Sequence, residues 1–258
     1  MPNPVEQPIP VAEYVRRPHS PLSHLAHDWE LHASILLSPA EERTMAREPA
    51  EAVPDALAKR IGPLRVLFVP YISCTPEGDY VSFTKPGGDT HTSVWADVEG
   101  VMQIVLACRE LDAHDTGFEF LACVAELLRP KLSEEELAEF DRLLAAELAD
   151  QVTGEIDEEA VRAKQTFRGR TARRRHQEEF ERYRDVSLVE TLAEYMHGLW
   201  HDVQIRVGPE HLPIPQLRKR MEMLTRLFPP NEGYRVFDEE IDRSESSAPG
   251  GGKTGDAE

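Results

Sequence analysis

The chain has 258 residues, 47 of them acidic against 29 basic, for a formal net charge of −18. That excess argues against a general affinity for nucleic acid or for an anionic membrane surface. Hydrophobic residues make up 40 %, enough for the core of one large or two modest domains, yet no run approaches the ~20 apolar residues of a membrane span.

Pro2, Pro4, Pro8, Pro10 and Pro18, with Pro21 just beyond, make residues 1–20 read as a disordered, extended arm. The opening MPNPVEQPIPVAEYVRRP lacks the apolar segment of a secretory signal. Ser20-Pro21 reads as a helix start, and Leu22, Leu25, Trp29, Ala33 and Leu36 recur at helical steps through about Leu37. His24, His27 and Asp28 lie off that face, with His32 at its edge. Ser38-Pro39 begins a second helix rich in Ala and Glu, and Asp55 to Arg60 a short third one.

At Gly62-Pro63 the period changes. Leu64 to Ile72 is dense in β-branched and aromatic residues and reads as a strand, with Pro70 forcing an edge position or an early end. A turn at Thr75 to Asp79 leads to a second strand, Tyr80 to Thr84, and Thr92 to Trp95 makes a third. Val98 to Leu111 reads as a helix through Val101, Ile104, Val105, Cys108 and Leu111, broken by Asp112 to Gly117. Phe118 to Leu128, apolar nearly all round, should be the most buried helix. Ser133 and Glu136 form a capping-box pattern that opens a helix reaching about Ala149.

Residues 155–185 are highly charged, and Arg168, Arg170, Arg173, Arg174 and Arg175 form a basic block without an acidic neighbour. Such a block is a contact for RNA phosphates or for a partner protein's acidic surface, although only Phe167 and Tyr183 stand near enough to stack on bases. Ser187 to Val207 reads as a long amphipathic helix that Ser187 and Glu190 cap. A last helix spans Gln216 to Phe228, with Arg218, Lys219, Arg220 and Arg226 facing out. The segment from about residue 241 is a flexible tail by composition.

The expected fold is α+β, predominantly α. It is a helical bundle with a small antiparallel β-hairpin sheet near residues 64–95, all within one domain over residues 21–240. Three scattered cysteines, Cys74, Cys108 and Cys123, imply a reducing cytoplasm rather than a disulfide framework, and the last two read as core residues.

The chemistry-bearing stripe is Glu190, Glu194, His197 and His201 on one face of the 188–206 helix. Two histidines four residues apart can present nitrogens to one divalent metal, with Glu194 as the carboxylate and His24 or His27 added from the N-terminal helix. The stripe lies opposite the apolar one and should face water, and with ten histidines a chance pair at that spacing is not rare. Three His-Asp dipeptides, His27-Asp28, His114-Asp115 and His201-Asp202, offer further donors, but no H-E-x-x-H, G-x-S-x-G or G-x-G-x-x-G motif is present. The sequence therefore favours a non-enzymatic interaction or regulatory protein with a protein partner, no cofactor and no membrane. A metal-dependent enzyme built on Glu194, His197 and His201 is the alternative, and an RNA-associated protein using the arginine block the second.

Overall fold

In the computed structural model the described residues are 7–168, 173–201, 203, 206 and 208–237, with the side chains of 173–175 outside them. Arg170 and the tail expected from residue 241 also lie outside. The chain begins with β1 (Ile9–Pro10) and α1 (Val11–Tyr14), then β2 (Ser23–His24) and β3 (Glu30–Ala33). A helical stretch runs through α2 (Pro39–Glu42), a π-turn (Arg43–Arg47) and α3 (Glu48–Ala52), and α4 (Asp55–Ile61) leads to β4 (Leu64–Val69). Strands β5 (Tyr71–Thr75), β6 (Gly78–Ser82), β7 (Thr90–His91), β8 (Ser93–Val98) and β9 (Val101–Ala107) follow. Helices α5 (Ala113–Leu128), α6 (Glu134–Ala149), α7 (Glu158–Arg168), α8 (Arg173–Trp200) and α9 (Ile214–Leu227) complete it.

The architecture corrects the expectation of a helical bundle carrying one small hairpin sheet. There are two sheets, one of five strands in the order β2-β3-β4-β9-β8 and one of four in the order β1-β6-β5-β7. In the first, β3, β4 and β9 run parallel, with antiparallel strands at both edges. The second is antiparallel throughout. Successive residues of the central strands enter different cores. Val66, Phe68, Ile104 and Leu106 join the helices, while Leu67, Val69, Val105 and Ala107 pack on Ile72 and Val81 of the smaller sheet. The five-stranded sheet is thus the middle layer of three, and each fully buried Val, Leu, Ile or Phe contributes roughly 1.5–3 kcal/mol before chain entropy is subtracted.

That double burial explains why β9 reads as a helix in sequence. A strand covered on both faces carries a continuous apolar run rather than an alternating one. The signal that separates the two is the turn before it. Glu99 and Gly100 both have positive φ, and Gly100 N–H donates to Asp97 Oδ1 at 2.9 Å, as a two-residue hairpin between β8 and β9 requires.

Residues 21–37 also depart from the expected helix. Trp29 and Leu31 point inward with a period of two, Trp29 Nε1 donates to Gly62 O at 3.1 Å, and Leu36, assigned to the buried face, is 94 % exposed. The proline-rich start is packed from residue 9 onward: β1 pairs with β6, and Tyr14 and Val15 are buried in the core between the sheets. The capping box at Ser133/Glu136 forms as the sequence implies, and the helix start at Ser38-Pro39 carries one as well, between Ser38 and Glu41.

Helix α8 packs against α3, α5, α6, α7 and α9, so Ser187 to Leu199 is buried nearly all round. Ser187 is not its cap, because the helix already begins at Arg173. Its hydroxyl instead accepts from Arg220 Nη1 (2.8 Å) and faces Glu155 Oε2 at 3.2 Å. Arg220 is fully buried rather than outward. It forks onto Glu147 (Nε 3.0 Å, Nη2 2.6 Å) and onto Glu155 (Nη1 2.8 Å, Nη2 3.1 Å). Lys164 Nζ and Tyr183 Oη complete the set around Glu155 at 2.8 and 2.5 Å. Two cations and two carboxylates leave the group electroneutral, which is what tolerates their removal from water. Burial alone would raise the Glu155 carboxyl, yet Arg220 and Lys164 hold it at about 2. Among the described residues no helix is long and apolar enough to cross a membrane.

Candidate metal centre and the adjoining acidic pocket

Two helix segments form the site. Asp112 caps α5 by accepting from Asp115 N–H at 2.9 Å, which sets His114 in the first turn. The DAHDTG stretch is therefore a helix start and not a break. Gly117, one turn on, is inside the helix because nothing larger fits: a Cβ there would lie 2.5 Å from the Trp200 ring and 2.6 Å from Thr44 O. This close approach brings the start of α5 against the end of α8, and the His114 ring stacks on Trp200 with centroids 5.1 Å apart.

His197 and His114 then meet with their Nε2 atoms 3.2 Å apart. Two nitrogens bound to one tetrahedral zinc at 2.0–2.1 Å stand about 3.3 Å apart. The outward-turned Nδ1 atoms both face carboxylates, His197 towards Glu194 Oε2 at 4.0 Å and His114 towards Asp115 Oδ1 at 3.6 Å. Neither is a hydrogen bond at that distance, and His197 Nδ1 is buried without a partner. His197 is 1 % exposed, whereas the His114 side chain is 38 % exposed and opens the pair to solvent. Burial first, and then His114, His201 and Arg206, push His197 down to about 4, so it is neutral at pH 7 and its lone pair is available. The His201 ring lies 4.9 Å from that of His114 and 5.9 Å from that of His197.

Next to Glu194 is a cavity of about 140 Å³ with Phe118, Ile156 and Leu217 as its apolar wall, Asp157, Glu190 and Glu194 as its acidic side, and Arg206 and His211 also lining it. Phe118 also meets the His197 ring edge-on at 5.2 Å, so pocket and histidines share a wall. Burial, reinforced by Asp157, Glu159 and two further carboxylates, pushes Glu190 up to about 8. A carboxyl so placed is protonated at neutral pH, a state suited to giving up a proton.

Of the residues singled out in sequence, Glu194 and His197 are in the interior rather than facing water, because α8 is a central helix and not a surface one. His201 stays at the exposed end. His24 and His27 do not join them; His27 Nε2 bonds Ala50 O at 3.0 Å and its Nδ1 faces Asp55. The missing partner was His114, whose trace in sequence is the His114-Asp115 dipeptide ahead of an apolar helix. Of the basic block, Arg168 donates to Val152 O at 2.8 Å, and Arg173 begins α8. A second donor group, Cys74, Asp79 and His91, lies on the four-stranded sheet with its ligand atoms all within 4.8 Å of one another. No protein-family model, curated protein or solved structure matches this chain.

Proposed function

We propose that this chain is a divalent-metal-dependent enzyme of hydrolytic type, with His114 and His197 as paired ligands and the acidic pocket on α8 as its substrate site. The observation that carries the reading is the 3.2 Å separation of two Nε2 atoms whose Nδ1 atoms each face a carboxylate. A hydrogen bond from His114 Nε2–H to a neutral His197 Nε2 fits the same distance and leaves the same Nδ1–H facing Glu194, so metal binding itself separates the two readings. With a metal on Nε2, Nδ1 carries the proton and a small shift lets it donate to Glu194, an arrangement that orients metal-bound histidines generally. His201, just beyond the end of α8, is the nearest further nitrogen donor that could join the pair in holding such an ion.

Held by His114 and His197, a divalent ion would supply an activated water for attack on an electrophilic carbon or phosphorus. Glu190, protonated at neutral pH, returns a proton to the leaving group. The apolar wall and the mixed rim of carboxylates with Arg206 and His211 suit a small polar substrate. The sequence favours a non-enzymatic role because its histidine stripe is expected to face water; with Glu194 and His197 buried, that ground is gone.

Equilibrium dialysis of the full chain against Zn2+ tests the reading, using Cys74→Ser protein so that nitrogen-bound metal alone is counted. Near-stoichiometric zinc is expected, weakened about a hundredfold by His197→Ala and by His114→Ala. Folded Cys74→Ser protein that binds no zinc, or binding indifferent to both histidine substitutions, sinks it.

A further inference from the structure

The four-stranded sheet holds polar donors where its pattern calls for apolar ones. Strand residues alternate between faces, so Ile72 and Cys74 share one face of β5, and their cross-strand partners Val81 and Asp79 share it on β6. His91 on β7 pairs with Ile72 on the same face. Ile72 and Val81 are fully buried against the five-stranded sheet. On that face, at the margin of the buried pair, Cys74 and Asp79 stand half-buried one step further along their strands, and His91 stands exposed opposite Ile72.

Their donor atoms lie within 4.8 Å of one another, and His91 Nε2 stands 3.4 Å from Asp79 Oδ1. A nucleophilic or redox-active cysteine needs cationic surroundings. Cys74 instead has carboxylates beside it, Asp79 across the strand pair and Asp89, whose backbone carbonyl accepts its N–H at 2.9 Å. Such surroundings suit a cation. We propose that Cys74, Asp79 and His91 form a zinc site, independent of the histidine pair, that clips β7 and the preceding 85–89 loop to the sheet.

A thiolate, a carboxylate and a neutral imidazole cancel the charge of Zn2+ and give the mixed sulfur, nitrogen and oxygen set this ion accepts, with water in the fourth position. The clip has a structural use. β7 is only two residues long and pairs with β5 through Ile72 and Ser73 alone, so a metal adds a second anchor across three strands.

Sulfur gives the site a signature the histidine pair cannot imitate. Full-length protein titrated with Co2+ should develop a near-ultraviolet sulfur-to-cobalt charge-transfer band that Zn2+ abolishes. The band should vanish in Cys74→Ser and His91→Ala but survive in His197→Ala. A second measurement needs no variant: Zn2+ should slow alkylation of Cys74 in the native chain by about tenfold or more, since a metal-bound thiolate is withdrawn from attack. Cys108 and Cys123 are buried and add no background. The absence of the band in folded protein, its persistence in Cys74→Ser, or alkylation indifferent to zinc would each overturn the proposal, whatever the outcome at His114 and His197.

Discussion

His114 and His197, 83 positions apart in the chain, bring their Nε2 atoms to 3.2 Å while each Nδ1 faces an acidic side chain. On the metal reading, Glu194 reaches the ion only through His197, by fixing its tautomer. Glu194→Gln should therefore leave the fold intact and weaken Zn2+ binding about 10- to 100-fold, as loss of a carboxylate behind a ligating histidine does elsewhere. Competition against a chromophoric chelator reads the shift, and an unchanged affinity would count against the carboxylate's role.

Gly117 sets the distance between α5 and α8. Gly117→Ala places a methyl group against Trp200 and Thr44 O, and the latter is backbone and cannot rotate away. A destabilisation of about 1–3 kcal/mol is expected from such overpacking. Because Trp200 stacks on His114, the near-ultraviolet circular dichroism and the zinc affinity should change together.

The buried charge cluster predicts an asymmetry between single and concerted substitutions. Arg220→Met strands Glu147 and Glu155 in the interior with only Lys164 left to balance them, at a cost of roughly 3–5 kcal/mol. Adding Glu147→Gln to Arg220→Met should recover part of that loss in urea denaturation, since it removes one unpaired charge. No recovery would mean that packing rather than charge dominates there.

Glu190 and His197 oppose each other in pH. Glu190 is raised from 4.5 to about 8, so its contribution to stability is complete below pH 4.5 and is lost as pH rises through 8. His197 is lowered from 6.5 to about 4, so its contribution is present above pH 6.5 and lost as pH falls towards 4. Between pH 6.5 and 8 only the Glu190 change remains. The Tm of chelator-treated protein should fall across that window, and Glu190→Gln should flatten the fall. A wild-type profile already flat there would refute the shift.

Local signals in this sequence were legible and shared ones were not. The helix start at Ser38-Pro39, the capping box at Ser133, the apolar body of α5 and the helix around Met221 and Leu224 depend on neighbours a few residues away. The Ser187/Glu190 pattern has the same spacing but occurs within a helix already under way, where three-residue steps simply mark one face. β9 was obscured because both of its faces are covered, and Trp29 because its alternation with Leu31 is too short to outweigh a chance helical spacing. Arg220 reads as outward from its polarity and His197 from its place opposite the apolar stripe. Their partners come from other elements, so nothing within a window around either residue announces that they pair inside.

The Arg220 fork also constrains how this sequence can drift over generations. Any lineage that replaces the guanidinium first passes through an intermediate with bare interior carboxylates, and one that replaces Glu155 first strands Lys164 and Arg220 together. Descendants should accordingly keep Glu147, Glu155, Lys164 and Arg220 as one inherited block or exchange them for apolar residues as a group. Their exposed neighbour Lys219 carries no such constraint.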